Sequence, residues 1–406
     1  MAKQYKDIKK ARTVIAITMF IFAFFNSAYV QLNTPLLSTM IAAQGWTNET
    51  LCNLIVTIGN LAQIPAYIFG GVLGKKMPKK KLAYLSIACF LVGGLLTIPL
   101  SFNIYLVLLC RFIVGCGSGM LILISTAILP DFFEGKELSN AIGLVLAGSG
   151  FWGFVFANLS GQIGNAFGWK TAYLLHWYAL IPLILFAVFI PDTPLVQSKT
   201  SEENGSEKSA ARKEVKVRMN PMVFVYTLAG MASFMLVQGM WSNSSIWITD
   251  TLGGTVAQAG IASSVISLFS FFGRLAFGKI YGKLGRFTLH LNIIMLIIGM
   301  FIASSANTFA VAVIAIAFVG VAMGFVAPVA LNRCIEVAPE NQETAQAITS
   351  IGFALGNFAS TYWKLFLNQV SSGSLQAIFR INTYFCIGFL ILAFVISAVL
   401  IKKSHQ

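Results

Sequence analysis

Residues 70–81 read GGVLGKKMPKKK, and residues 278–286 read GKIYGKLGR. Both stretches end a long apolar run with two glycines four residues apart, then lysines or arginine, then a second apolar run. Glycines at that spacing lie on one face of a helix end and the cations follow at a tight turn. The same device appears twice, so the chain reads as two related halves. Two further echoes keep nearly the same offset. Gly115 and Gly119 correspond to Gly320 and Gly324. Glu134-Gly-Lys-Glu137 before Ala141-Ile142 corresponds to Glu340-Asn-Gln-Glu343 before Ala347-Ile348. Internal symmetry of this kind accompanies transporters whose site lies between repeats.

Outward from these turns, the chain of 406 residues is 57% hydrophobic and only 10% charged, with a mean hydropathy of +0.79. That balance leaves too little charge to cover a water-soluble surface, so lipid is the expected solvent. A helix needs about 20 apolar residues to cross the hydrocarbon layer. The sequence predicts twelve such spans, near 13–41, 48–74, 82–101, 104–129, 139–165, 171–190, 220–250, 255–281, 287–305, 309–332, 344–370 and 379–401. The first apolar run is too long for the core of a cleavable signal peptide. Residues 195–219 interrupt the pattern with Ser, Glu and Lys and read as a solvated linker. The expected organisation is a six-helix bundle over 1–194, a cytoplasmic linker over 195–219 and a second six-helix bundle over 220–406: an all-α integral membrane fold.

A net charge of +14 would suggest nucleic acid in a soluble protein, but the cations alternate between loops. They gather before span one (Lys3, Lys6, Lys9, Lys10, Arg12), after span two (Lys75, Lys76, Lys79, Lys80, Lys81), in the linker, after span eight (Lys279, Lys283, Arg286) and at Lys402 and Lys403. The intervening loops carry only Lys170 and Arg380. Cation-rich loops stay in the cytoplasm, which predicts a multi-pass cell-membrane protein with both termini cytoplasmic and no nucleic-acid partner. The six cysteines lie within spans without metal-ligand spacing, so no metal or cofactor is expected.

Ionisable residues inside spans are few and therefore candidate functional residues. Arg111 lies in span four, Arg274 in span eight and Lys364 in span eleven, while no Asp or Glu falls near the middle of a span. On span eleven, Asn357, Thr361, Lys364 and Asn368 repeat at helical spacing and form one polar face. Ser263, Ser267, Ser270 and Arg274 repeat that pattern on span eight. Asn26, Gln31 and Asn33 on span one, Gln238, Trp241, Asn243 and Ser245 on span seven, Asn53, Thr57 and Asn60 on span two, and Asn158 and Gln162 on span five complete the polar interior. Candidate solute-binding residues are thus Asn26, Gln31, Asn33, Arg111, Gln238, Trp241, Arg274, Asn357, Thr361 and Lys364. The bland reading of each remains open: amides bond helix to helix, Lys364 snorkels to the interface, and the arginines tie helix ends.

These features together resemble the major facilitator superfamily over essentially the whole chain. The turns with Gly70, Gly74, Lys75 and Lys79, and with Gly278, Gly282, Lys283, Gly285 and Arg286, are similar to that family's most widespread signature. Arg111 with Gly115, Gly117 and Gly119, Gly168-Trp169-Lys170, and Pro191-Asp192-Thr193-Pro194 resemble further hallmarks. The resemblance implies a secondary transporter, working by alternating access, with the two signature turns gating the cytoplasmic side. Gly74 and Gly282 stand where the family usually has a carboxylate, so the lock is expected to be made differently here. Span five lacks the Gly-Pro pair of drug–proton antiporters. Arg274 with Lys364 resembles the oxalate–formate exchanger branch.

Buried cations without mid-membrane carboxylates need an anionic partner, and arginine offers a fork of donors matched to a carboxylate. The sequence therefore favours a small organic anion, including amphipathic ones of bile-acid type, moved by exchange for a counter-anion or with a proton, by a monomer surrounded by lipid. A multidrug or hydrophobic-solute exporter of the same fold is the alternative, and a non-transporting receptor a distant one. No phosphate-binding loop, zinc helix or nucleophile triad appears, so an enzyme is not expected.

Overall fold

The computed structural model describes residues 8–133, 135–191, 220–338, 342–371 and 374–404. The expected linker at 195–219, the cations Lys3 and Lys6, and Asp192, Thr193, Pro194, Glu134 and Glu340 lie outside the described residues. The elements are helices α1 (Ile8–Phe22), α2 (Phe25–Gln31), α3 (Leu37–Gln44), α4 (Glu49–Lys76), α5 (Lys79–Leu96), α6 (Ile104–Ala127), α7 (Gly135–Phe167), α8 (Trp169–Tyr173) and α9 (Leu180–Phe189) in the first half. The second half holds α10 (Pro221–Ser242), α11 (Ser244–Ile246), α12 (Val256–Leu284), α13 (Thr288–Ser304), α14 (Phe309–Val337), α15 (Gln342–Val370) and α16 (Leu375–Ser404). Among the described residues nine segments are long and apolar enough to cross a membrane. The segment α5, with its three lysines, the shorter α13 and the polar-striped α15 complete twelve crossings.

Three spans differ from single helices. Span one, expected over 13–41, is broken into α1, α2, a 3-10 turn over Thr34–Leu36, and α3. Pro35 lacks an amide donor and disfavours helical geometry in the residue before it. Side chains add bonds at the break: Asn33 Nδ2 donates to Tyr29 O (2.8 Å), and Thr34 Oγ1 donates to Val30 O (3.1 Å), which also accepts from the Asn33 amide (3.0 Å). Span seven is interrupted at Asn243, whose Nδ2 donates back to Gly239 O (2.6 Å), and ends in a π-turn over Trp247–Thr251. The first span of each half is thus broken at a matching position. Span six passes through a 3-10 stretch, Leu174–Ala179, between α8 and α9.

Each half has its own core. In the first, Phe22, Phe24, Phe25, Phe90, Phe156 and Phe186 pack ring against ring. In the second, Trp247 meets Phe379 edge-on within a cluster that includes Met240, Leu296, Met300 and Val319. Much of the chain's phenylalanine therefore builds bundle interiors. The halves meet along two seams, α7 with α12 and α4 with α15. The repeats pair α4 with α12 and α7 with α15, so the seams are related by the pseudo-symmetry already legible in the sequence. Glycine permits the α7–α12 approach: a Cβ on Gly161 would lie 2.5 Å from Gly260 Cα, and one on Gly150 would lie 2.9 Å from Phe271 Cβ.

Candidate functional site

Between the halves lies a cavity of about 180 Å³, lined from both bundles. Its wall includes Asn26, Tyr29 and Gln31 of α2, Asn60 of α4, Ser149 and Gly150 of α7, Phe234, Gln238 and Trp241 of α10, Ser267, Ser270 and Arg274 of α12, Met323 of α14 and Asn357 of α15. Its span-one lining comes from α2, the short helix between the two interruptions of that span.

Among the described residues the wall holds one cation and no carboxylate. The half-buried guanidinium of Arg274 reaches across the seam, and Nη1 donates to Leu146 O (2.9 Å) and to Ser149 Oγ (2.7 Å). No ion pair to Arg274 occurs among the described residues. Around it, buried polar atoms lack a hydrogen-bond partner among the described residues: Asn26 Oδ1, Gln31 Oε1, Asn60 Nδ2, Trp241 Nε1, Ser270 Oγ and Asn357 Oδ1. An unsatisfied buried donor or acceptor costs about 1–3 kcal/mol. The residues that carry them line one space, which gives it polar groups suited to water or a polar solute.

Other polar groups hold the walls in place. Gln31 Nε2 donates to Ser267 Oγ across the halves (2.5 Å), Tyr29 Oη to Asn60 Oδ1 (2.8 Å), and Gln238 Nε2 to Ser242 Oγ (3.0 Å). Six of the ten candidate solute-binding residues line this cavity: Asn26, Gln31, Gln238, Trp241, Arg274 and Asn357. Tyr29, Asn60, Ser149, Phe234 and Met323 were not among those ten. Tyr29 carried a signal, since it falls between Asn26 and Asn33 on the same helical face.

The other four candidates are placed elsewhere. Asn33 is spent on the broken backbone of span one. Thr361 and Lys364 belong to a closure at the end of the bundle remote from residues 191 and 220, here called the far end. Thr361 Oγ1 meets Thr57 Oγ1 across the α4–α15 seam (2.6 Å). Lys364 Nζ lies 2.6 Å from Glu49 Oε1 and donates to Asn243 Oδ1 (2.8 Å), while Asn368 Nδ2 donates to both Glu49 oxygens at 3.3 Å. The expectation that Lys364 lacks a protein carboxylate is thereby corrected. Glu49, in the first turn of α4, reaches it because α4 and α15 pack side by side. Ser38 Oγ and Ser245 Oγ (3.0 Å) and Ser245 Oγ to Pro35 O (3.0 Å) extend the closure to the broken spans. The polar bonds between halves, among the described residues, run from the level of Arg274 to the far end.

Arg111 lies inside the first bundle, away from the cavity. It is 2% exposed, stacks 5.6 Å from the ring centroid of Tyr173, and none of its three side-chain nitrogens has a hydrogen-bond partner among the described residues. At the opposite end, Lys79 Nζ pairs with Asp131 Oδ2 (2.6 Å) and Tyr281 Oη donates to Glu336 Oε1 (2.5 Å), with Arg333 paired to the same Glu336. These contacts bind each half's own helix ends and not one half to the other. Of the remaining gating candidates, Gly70 packs on Leu123, Gly278 and Gly282 have open space beside them, and Lys283 is exposed. Gly285 turns the end of α12 at φ +49°, a backbone that favours glycine. The surroundings of Gly74 and the side chains of Lys75 and Arg286 lie outside the described residues. Among the described residues no His, Cys, Asp and Glu cluster could hold a metal.

The profile of the Major Facilitator Superfamily matches residues 16–361. The riboflavin transporter RibZ of Clostridioides difficile (strain 630) is 26% identical over 166 residues, 41% of this chain and 35% of that protein. The sialic acid transporter NanX of Escherichia coli (strain K12) is 25% identical over 254 residues, 61% of this chain and 59% of that protein. The matched segments thus span less than two thirds of these relatives. Among solved structures, a bacterial homologue of the human lysosomal transporter Spinster, inward-facing and unoccupied, superposes with a TM-score of 0.76 at 12% identity over 94% of this chain and 95% of that one. A point mutant of the nucleoside transporter NupG superposes with a TM-score of 0.72 at 12% identity over 95% of this chain and 99% of that one.

Proposed function

We propose that this chain, which belongs to the Major Facilitator Superfamily, carries a small organic anion through the central cavity by alternating access, with Arg274 meeting the solute's carboxylate. One observation carries the reading: among the described residues that line the cavity there is one guanidinium and no carboxylate. Nη1 is committed to Leu146 and Ser149, which fixes the plane of the fork and leaves the rest of its donors to a ligand. Asn26, Asn60, Trp241 and Asn357 offer the donors and acceptors that a hydroxylated anion needs beside its carboxylate. A sialic acid transporter among the relatives fits this chemistry, since sialic acid is a sugar bearing a carboxylate.

Size narrows the class. A cavity of about 150 Å³ holds benzene and drug-sized ligands occupy about 300–1,000 Å³, so 180 Å³ suits a compact solute. A bile-acid-like cargo would require the walls to part further. The wall's Tyr29, Phe234, Trp241 and Met323 support a second reading, carriage of a hydrophobic aromatic solute, and the riboflavin transporter among the relatives fits an aromatic cargo.

Among the described residues the cavity wall has no Asp, Glu or His to serve as a proton relay, which supports exchange against a counter-anion over proton symport. Residues 1–194 and 220–406 would act as the two rocking halves, joined by 195–219, in a monomer. The clustering of Lys and Arg at the linker end supports a cytoplasmic location for that end and for both termini, and insertion in the cell membrane. Uptake into proteoliposomes tests the scheme. Acidic sugars and short carboxylates should enter faster when unlabelled anion is preloaded. Uptake that ignores the preloaded anion but collapses without a pH gradient would sink exchange. Uptake confined to neutral or cationic solutes would sink the anion reading.

A further inference from the structure

The hydrogen bonds around Arg274 contain one proton with a choice of acceptor. Arg274 Nη1 donates to Leu146 O (2.9 Å) and to Ser149 Oγ (2.7 Å), and Ser149 Oγ donates to the same Leu146 O at 2.7 Å. A hydroxyl has one proton and two lone pairs, and its proton rotates to suit its surroundings. Ser149 thus accepts from the guanidinium while its own proton rests on a carbonyl that Arg274 already serves. That carbonyl keeps its bond from Nη1 if the serine proton turns away. Ser149 and Arg274 both line the central cavity, and they face each other across the seam, from α7 of one half and α12 of the other.

We propose that Ser149 is a second anion-binding residue, whose hydroxyl turns from Leu146 O to one carboxylate oxygen of the solute while Arg274 donates to the same carboxylate. The inference rests on the anion reading of the cavity and adds the first-half group that takes part. A hydrogen bond to an ionised acceptor is about twice as strong as one between neutral groups, so a carboxylate outcompetes Leu146 O for the proton. A hydroxyl that accepts from a guanidinium is also polarised and donates more strongly. The carboxylate is then held from both halves at once, by α7 and by α12. A neutral oxygen gives no such gain and leaves the proton on Leu146 O, so Ser149 favours acids over their amides.

Titration calorimetry of the purified full chain tests it, with sialic acid, glucuronate, lactate, pyruvate and oxalate as probes and the tightest binder carried forward. Ser149→Ala should weaken that binding about tenfold, the equivalent of one hydrogen bond to a charged group. Arg274→Lys separates direct contact from mere support of the arginine. An ammonium is a point charge with no plane to orient, so a serine that only positions the fork would have no effect beside it. Ser149→Ala should still weaken binding severalfold when added to Arg274→Lys. Wild-type affinity in Ser149→Ala, or no further loss in the Arg274→Lys background, overturns the proposal and leaves the anion reading standing. Wild-type affinity in Arg274→Ala, or no binding of any probe, overturns the anion reading and the proposal with it. If Ser149→Ala does not fold, Ser149→Cys, whose thiol is a weak donor, takes its place under the same criteria.

Discussion

Replacing Glu49 by Gln should open the far end. Glu49 and Lys364 sit on opposite halves, across the α4–α15 seam, so their 2.6 Å pair exists only while that end is closed. Removing one partner of a fully buried pair costs about 3–5 kcal/mol, whereas exposed pairs contribute about 0–1 kcal/mol. Here the lysine side chain is 6% exposed and the glutamate 51%, which places the pair between those limits. Asn243 still accepts from Lys364 at 2.8 Å in the variant, and a glutamine oxygen can replace part of the contact. The expected loss is about 1–2 kcal/mol, a factor of about 5–30 in the ratio of closed to open forms. Cys52 is a built-in reporter, because it is one turn beyond Glu49 on α4 and 2% exposed. With the other five cysteines replaced by serine, a membrane-impermeant thiol reagent applied from the far side should label Cys52 faster by that factor in Glu49→Gln. Lys364→Gln should do the same, and the double variant should be no faster than the singles. Unchanged labelling in both single variants would refute the reasoning, because the pair would then contribute nothing to closure.

Three further outcomes follow from the same geometry. Arg274→Ala should weaken transported-anion affinity about 10–100-fold, the equivalent of one or more charge-assisted hydrogen bonds, with Arg274→Lys intermediate; solute titrations of the purified protein read this directly. Gly161→Leu should drive α7 and α12 apart at the far end, because even a Cβ would lie 2.5 Å from Gly260 Cα; a lower melting temperature together with faster Cys52 labelling is the expected pair of readouts. Arg111→Met should leave the melting temperature unchanged or raised, since it removes a buried charge whose three nitrogens have no hydrogen-bond partner among the described residues. The cation–π contact with Tyr173, worth about 2 kcal/mol or more at a desolvated site, offsets part of that gain, so a drop well beyond it on melting would show a partner the geometry does not contain.

Much of the architecture is legible in the sequence. Hydropathy together with the alternation of cationic loops points to twelve crossings, nine of them long and apolar enough by themselves among the described residues, and the paired turns at Gly74 and Gly282 point to two halves. The breaks in spans one and seven are not legible in the same way. Pro35 points to the first, but the amide that compensates the broken backbone, Asn33, looks like a solute ligand. Its bond to Tyr29 O depends on local unwinding that a continuous-helix reading does not contain. Arg111 likewise has the sequence signature of a ligand, whereas its neighbours are Tyr173 and the interior of one bundle.

By itself the sequence determined which face of each helix is polar. The period of 3.6 residues put Asn357, Thr361, Lys364 and Asn368 on one stripe, and Ser263, Ser267, Ser270 and Arg274 on another. Only the tertiary structure decided what each level of a stripe does. Asn357 and Arg274 fall at the height of the cavity, while Thr361, Lys364 and Asn368 fall against Thr57 and Glu49, more than 300 residues away in the chain. Periodicity fixes the angle at which a side chain leaves its own helix. It carries no information about how far the neighbouring helix is shifted along its axis, and that shift separates the residues that meet solute from those that close the path.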